Sequence, residues 1–567
     1  MSFQVRLETR RNPLFWVAPD RLGAGQMQAL SGDCPAFSPV SSIRPLGRVL
    51  IRRQIQGRII NTWLVVIAVL GATIAVADGL TRTPVSEREA YWNGQLEYQP
   101  YLGAVLLAGL TLPLMFGYLR RARVSVTEGL FLWFVFCTAA YTRDFSYIHW
   151  PRTPFFVTDV VLVILFLSIY LFARSRRLRV PLPVNIFLAM LVAAGAFSAL
   201  RGFLRHSNPI FVLRDAALVG YPLFLYVAHH LFRSWLSIKR MAVWFLLGTA
   251  LSVLNGLAWF IVAPAERHFI YYGIYVLVSL VGILLAIANK LVKPLYGWLL
   301  AGIHCLGLIL ANARTLYVTL AALLFIGLLA GPFVYNRVRL TRLAATVVTV
   351  ASLGALASLL ALHTQPGRDF SGRALDELAS GVLHSSQDPY WQFRLIAWKE
   401  AWRRFEEDPL AGEGFGVPFV FELADADVRP HNTFLTVLYK MGLIGFLPLF
   451  ALLVCFLWFS FRAVHRNWDG NRVAFLQIML LAQVALCLYG TANLLLESPF
   501  LASLFWVAMG LGLRMIPMLD ADRLLQRYLH AGQNTDECTS RISKKWVDLG
   551  LEAFEGAPPI TRERSRE

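Results

Sequence analysis

Apolar runs of about 20 residues, separated by short polar loops, recur along nearly the whole chain. They fall at roughly 59–77, 101–119, 126–141, 155–173, 183–200, 209–228, 241–263, 270–288, 294–312, 314–332, 343–362, 434–461, 473–494 and 498–516. About 20 apolar residues in a helix cross the roughly 30 Å hydrocarbon core of a bilayer. The pattern therefore predicts an all-α fold, a polytopic transmembrane helical bundle of about 12–14 spans with one large extracytoplasmic loop. The run at 126–141 is short, and that at 498–516 is hemmed by Glu497, Pro499 and Pro517. No internal repeat is visible, which argues against the matched halves of many transporters.

The same pattern sets the domain organisation. Residues 1–58 form a cytoplasmic N-terminal tail, 59–362 the first eleven spans, and 363–433 the large loop. Residues 434–516 form the last three spans, and 517–567 a cytoplasmic C-terminal tail. The N-terminal tail has no apolar core of signal-peptide type. It ends in Arg44, Arg48, Arg52, Arg53 and Arg58, which hold this terminus inside.

Within the large loop, 391–405 has helical character. Trp391, Leu395, Trp398 and Trp402 repeat at helical spacing and draw an aromatic stripe suited to a membrane interface. Pro409 and the glycines of 411–416 end that helix in a turn.

Composition agrees with a membrane chain. Of 567 residues, 57% are hydrophobic and 16% charged, which excludes a disordered chain, a coiled coil and an ordinary soluble enzyme. The net charge of +18 would suggest nucleic acid on a soluble protein. Its distribution says otherwise. With the N-terminus inside, the short inner loops carry eighteen Lys and Arg and the short outer loops eight, as the positive-inside rule requires. The large loop is the exception, with twelve acidic residues against seven basic ones up to 432. Six scattered cysteines show neither a disulfide framework nor a metal-like spacing. No cofactor, no metal and no nucleic acid is expected.

Three residues converge on the outer boundary by this topology. Arg314 opens a span, Arg394 sits on the loop helix, and His431 precedes the next span. Arginine presents a planar fork matched to phosphate oxygens, and a neutral histidine accepts a proton from a hydroxyl. Two arginines and one base suit a displacement in which diphosphate leaves and a sugar moves to an alcohol. Each residue also has an ordinary reading. Arg314 can be an interfacial anchor, Arg394 can pair with Asp388 or Glu400, and His431 with Asn432 can cap the helix starting near Thr433. Arg214 and Asp215 lie inside the run 209–228, where ionisable groups are costly and line a cavity or pair with each other. With Arg429 and Asn432 beside His431, they complete the candidate substrate-binding set.

These pieces, in this order, resemble the O-antigen ligase and O-antigen polymerase superfamily of bacterial envelope glycan assembly. The resemblance rests on Asn312-Ala313-Arg314-Thr315 at a span start and on Arg394 to Trp398 as R-x-x-x-W. It rests also on Pro409-Leu410-Ala411-Gly412-Glu413-Gly414-Phe415-Gly416, and on His431 to Leu435 followed by Gly442-Leu443-Ile444-Gly445. It covers about residues 200–515. Where many members have S-R-S-G-W, this chain has Ala313-Arg314-Thr315-Leu316-Tyr317. The resemblance implies a metal-independent glycosyltransferase in the bacterial inner membrane. It would use a polyprenyl-diphosphate-linked oligosaccharide at the periplasmic face, with an acceptor glycan or lipid A–core as partner. Arg314 and Arg394 would hold the diphosphate, and His431 would be the base. The extra spans favour a polymerase over a ligase. The alternative is a multi-span transporter or lipid-linked oligosaccharide flippase.

Overall fold

The computed structural model describes residues 44–81, 102–122, 124–149, 155–172, 180–205, 207–262, 270–311, 313–334, 389–421, 429–466 and 470–530. The chain divides into two units, Met1–Arg58 and Ile59–Glu567, and the helical bundle belongs to the second. The described helices are α1 (Arg44–Thr81), α2 (Leu102–Ala122), α3 (Val126–Ser146), α4 (Val157–Phe172), α5 (Leu182–Leu204), α6 (Pro209–Gly220), α7 (Leu223–Leu231) and α8 (Trp235–Val262). They continue with α9 (Ile270–Ala288), α10 (Pro294–Ala311), α11 (Arg314–Val334), α12 (Pro389–Glu407), α13 (Thr433–Arg466), α14 (Asn471–Gly490) and α15 (Pro499–His530). The all-α polytopic bundle is borne out. Among the described residues nine helices, α6 and α7 counted as one, are long and apolar enough to cross a membrane. Three more, within α4, α9 and α11, are apolar but shorter. The run at 343–362 lies outside the described residues.

Local sequence sets the helix ends. Asn208 accepts the N–H of Ile210 (3.0 Å), and Pro209 opens α6 where no donor is needed. The run read as one span at 209–228 is two helices, because Pro222 has no N–H to continue α6. The run read as short at 126–141 extends to Ser146 as α3, nearly every residue of which is buried.

Burial sorts the helices by depth. In α15 the apolar window is 89% buried and in α1 only 22%, so α15 is central and α1 peripheral. Along α13, Leu447, Phe450, Val454, Trp458 and Phe461 form an exposed apolar stripe. Exposed apolar side chains at helical spacing along a span face lipid, not water. Small residues let the central helices approach. A methyl on Gly248 of α8 would stand 2.6 Å from the Phe136 carbonyl oxygen and 2.7 Å from Ala139 of α3.

A polar clamp ties α8, α9 and α10. Thr249 Oγ1 lies 2.9 Å from His304 Nε2 and accepts from Ser279 (3.1 Å). Such bonds contribute about 0.6 kcal/mol each inside membranes, so the clamp sets register more than it stabilises.

Several contacts gather helix ends at one end of the bundle. Tyr272 of α9 donates to Asp144 of α3 (2.8 Å), and Tyr275 donates to the Phe500 carbonyl at the start of α15 (2.5 Å). A methyl on Gly273 of α9 would meet Leu316 of α11 and Ala311 of α10. The Thr433 hydroxyl at the start of α13 bonds the segment before α15. The starts of α9, α11, α13 and α15 therefore share one end.

Candidate functional site

At that end the loop helix α12 is fastened to α13 by a small core of its own. Ala397, Ala401, Phe419, Phe421 and Tyr439 form it, flanked by Phe393, Ile396, Phe405 and Leu435. The packing face of α12 thus runs through its alanines. The tryptophan stripe lies beside it, with Leu395 and Trp402 exposed. Trp398 turns inward and donates Nε1–H to the Pro430 carbonyl (2.8 Å), seating the helix against the segment that carries His431.

Arg404 closes the other edge of α12. It donates to Glu400 (2.8 Å), Glu413 (3.2 Å) and the carbonyls of Pro418 (3.1 Å) and Val420 (2.7 Å).

The turn after α12 interlocks with a kink in α13. At Gly442 the backbone leaves helical geometry (φ 60°, ψ −162°), which frees backbone groups on both sides. The Tyr439 and Lys440 carbonyls accept the N–H groups of Glu413 (2.7 Å) and Gly414 (3.0 Å). The N–H groups of Leu443 and Ile444 donate to the Pro409 (2.8 Å) and Leu410 (3.1 Å) carbonyls. Gly412 also has positive φ (68°), and a methyl there would stand 2.5 Å from the Lys440 carbonyl carbon. Glycine at both positions makes the close approach possible. From α5, Arg201 donates to the Gly412 carbonyl (2.6 Å) and Asp408 (2.7 Å), and Arg205 to the Glu413 carbonyl (2.6 Å).

Beneath the turn lies a buried charge cluster. Asp215 of α6, 1% exposed, pairs with Arg429 (2.6 Å) and with Lys440, and accepts the N–H of Gly416 (2.8 Å). One carboxylate thereby joins α6, the glycine turn, the kink of α13 and the residue two before His431. Asp215 is committed to these partners, and Arg214 beside it is half-buried.

His431 sits between two anchored neighbours. Pro430 is held by Trp398. Asn432 caps α13, its Oδ1 accepting the N–H of Phe434 and Leu435 (both 3.1 Å). His431 itself has φ 50°, a left-handed conformation that costs of order 1–3 kcal/mol unless the surroundings enforce it. Burial, and after it the positive charge of Arg394, lowers its pKa from 6.5 to about 4. The imidazole is neutral at pH 7, and Arg394 stands near enough to act on it. Arg314, half-buried, is the first residue of α11 at the same end of the bundle.

Of the residues read from sequence, Arg394, Arg429, His431 and Asn432 come together on one segment and the helix packed on it. Asp215 reaches them through Arg429. Lys440 is not among them, nor are Arg201 and Thr433, while Glu497 stands out in the sequence only as an acidic residue near the end of a span that can face the cavity. Lys440 has a signal, an ionisable group seven residues into an apolar run. Arg201 with Asp408 has none, being 207 positions apart. Among the described residues no three His, Cys, Asp or Glu side chains are grouped so as to hold a metal ion.

No curated protein matches the chain. A family model described as O-antigen ligase matches residues 297–450, a stretch that contains Arg314, Arg394, Arg429, His431, Asn432 and both sides of the glycine interlock. Over residues 297–450 the chain is similar to the O-antigen ligase family, and the resemblance to that superfamily read from its motifs is borne out.

Proposed function

We propose that this multi-pass membrane protein transfers a polyprenyl-diphosphate-linked glycan to an acceptor hydroxyl at the periplasmic face of the inner membrane, without a metal. The observation that carries the reading is the Arg394–His431 pair, a neutral imidazole beside a guanidinium within the stretch similar to the O-antigen ligase family.

His431 removes the proton of the acceptor hydroxyl as its oxygen attacks the anomeric carbon. The bond from that carbon to the diphosphate oxygen breaks, and the lipid diphosphate leaves with the bonding pair. Arg314 and Arg394 compensate its charge. Arg429 and Asn432 fix the local backbone and present donors toward the same substrate, while Asp215, with Arg214 beside it, acts by holding Arg429. The pair also tunes itself. By itself Arg394 disfavours the imidazolium. An incoming diphosphate offsets that guanidinium and raises the basicity of His431 when a proton must be taken. A lipid-linked repeat as acceptor makes the protein a polymerase, and lipid A–core makes it a ligase. The polymerase reading is favoured by the number of apolar runs.

The test is transfer by purified protein given a lipid-linked repeat, each acceptor in turn, and EDTA. Transfer persists in EDTA. His431→Ala lowers it by about 100-fold or more, and Arg314→Ala and Arg394→Ala by at least about tenfold. Wild-type rates from all three inserted variants would end the enzymatic reading. Movement of the lipid-linked glycan across a bilayer with no new glycosidic bond would return the flippase.

A further inference from the structure

We propose that Glu497, acting through the hydroxyl of Thr433, is a positioning residue that holds His431 in its working orientation. The proposal rests on the reading of His431 as the base.

The segment between α14 and α15 folds over the first residue of α13. Thr433 is fully buried. Its Oγ1 accepts the N–H groups of Leu495 (2.7 Å) and Leu496 (3.3 Å). Both acceptor positions of the hydroxyl are then filled, and its single proton goes to Glu497 Oε2 at 2.7 Å, the Asn493 carbonyl being farther at 3.4 Å. The other carboxylate oxygen, Oε1, is buried and has no hydrogen-bond partner among the described residues. The bond to Thr433 is therefore the hydrogen bond through which Glu497 acts. A bond to a carboxylate is about twice as strong as a neutral one.

Thr433 stands two residues after His431. On the other flank, Pro430 is held by Trp398 and Arg429 by Asp215. A left-handed histidine needs both flanks fixed. On the side after His431, the Thr433 bonds add to the Asn432 cap and to the N–H and hydroxyl of Thr436, which donate to the Asn432 carbonyl (2.9 and 3.0 Å). The charged groups around His431 are Arg394 from α12, Arg429 in its own segment with its partner Asp215 from α6, and Glu497 behind Thr433. Freeing the segment lets water reach the imidazole and relaxes its proximity to Arg394. Both effects raise its pKa from about 4 toward 6.5.

The experiment compares Thr433→Val, Glu497→Ala, their double variant and Glu497→Gln in purified, membrane-inserted protein. A displacement on the order of 1 Å at a reacting group costs up to about 100-fold. The first two variants therefore lose about tenfold or more in kcat, with the donor KM changed less than about twofold. The acid limb of the pH profile moves upward in both. The double variant is no worse than the poorer single one. Glu497→Gln keeps an acceptor for the hydroxyl and stays within about fivefold of the parent, with its acid limb in place. The pH dependence of diethyl pyrocarbonate labelling of the His431 peptide, read by mass spectrometry, reports the same shift without turnover. It scores this proposal even if His431→Ala were to transfer glycan normally. Parent-like kcat and labelling in Glu497→Ala overturns it, as do multiplicative losses in the double variant. A Glu497→Gln protein as impaired as Glu497→Ala overturns it too, since charge rather than the hydrogen bond would then matter.

Discussion

His431 is one imidazole under two influences that act in the same direction. Burial and the neighbouring guanidinium both disfavour its charged form and bring its pKa to about 4. Transfer that needs the neutral ring should then hold its rate down to about pH 4, some two units below an ordinary histidine. Replacing Arg394 with Ala removes one of the two influences, so the acid limb of kcat/KM moves to higher pH while its amplitude falls. Other groups nearby do not confuse the limb. Glu400, through hydrogen bonds from Arg403 and then Arg404, is held at about 2. Asp408 is raised by burial, yet lowered on balance by its bond from Arg201. Glu400 therefore remains ionised where His431 titrates, and Asp408 is shifted in the same direction. A pH profile of Arg394→Ala with the parent's acid limb would separate the two residues. At this scale the sequence offers the residue types but not the depressed pKa. That depends on which guanidinium a fold places beside the ring, here one 37 positions away.

Among the elements, the interlock between the 409–416 turn and the kink of α13 shows what a linear pattern reveals and what it hides. Pro409 and the glycines mark a turn in any reading. The kink is hidden, because the apolar spacing runs on through LTVLYKMGLIGF without a break. Its cause is distant. Carbonyls 439 and 440 leave the helix ladder because another segment supplies their donors. Gly442→Ala would place a methyl 2.3 Å from the Leu410 carbonyl oxygen on a backbone with φ 60°. With ψ at −162° this backbone lies in a region open essentially to glycine alone and costs an alanine of order 1–3 kcal/mol, and the clash adds to it. Thermal unfolding in detergent should show a clear loss, with transfer reduced. Gly302→Ala in α10 is the control. A methyl there meets nothing within 4 Å, and helix propensity favours alanine by up to about 1 kcal/mol. Equal melting of the two variants would mean the interlock does not hold the site.

Across the whole molecule, the two apolar runs that look weakest in the sequence, 126–141 and 498–516, are its centre. Hydropathy registers what faces lipid. A helix surrounded by protein can carry Glu128 and Arg514, because neighbouring helices answer them: Arg240 lies 3.6 Å from Glu128, and Arg514 donates to the Phe232 carbonyl (3.0 Å). These two contacts also gather the starts of α3 and α8, the end of α7 and the later part of α15 at one end of the bundle, away from His431. The loops there are the basic ones that charge counting assigns inside. Geometry and charge thus sort the loops alike by independent routes. In this orientation α12 would lie in the periplasm and the α9–α10 loop in the cytoplasm. In a cysteine-free chain, Glu407→Cys, at a side chain 62% exposed, should react with an impermeant maleimide in intact cells whose outer membrane has been opened. Lys293→Cys in the opposite loop should react only after the inner membrane is permeabilised. The reverse pattern would turn the Arg394–His431 pair toward the cytoplasm. A lipid-linked glycan already exported could not reach it there, and the transfer chemistry would need a substrate still on the side where it was made.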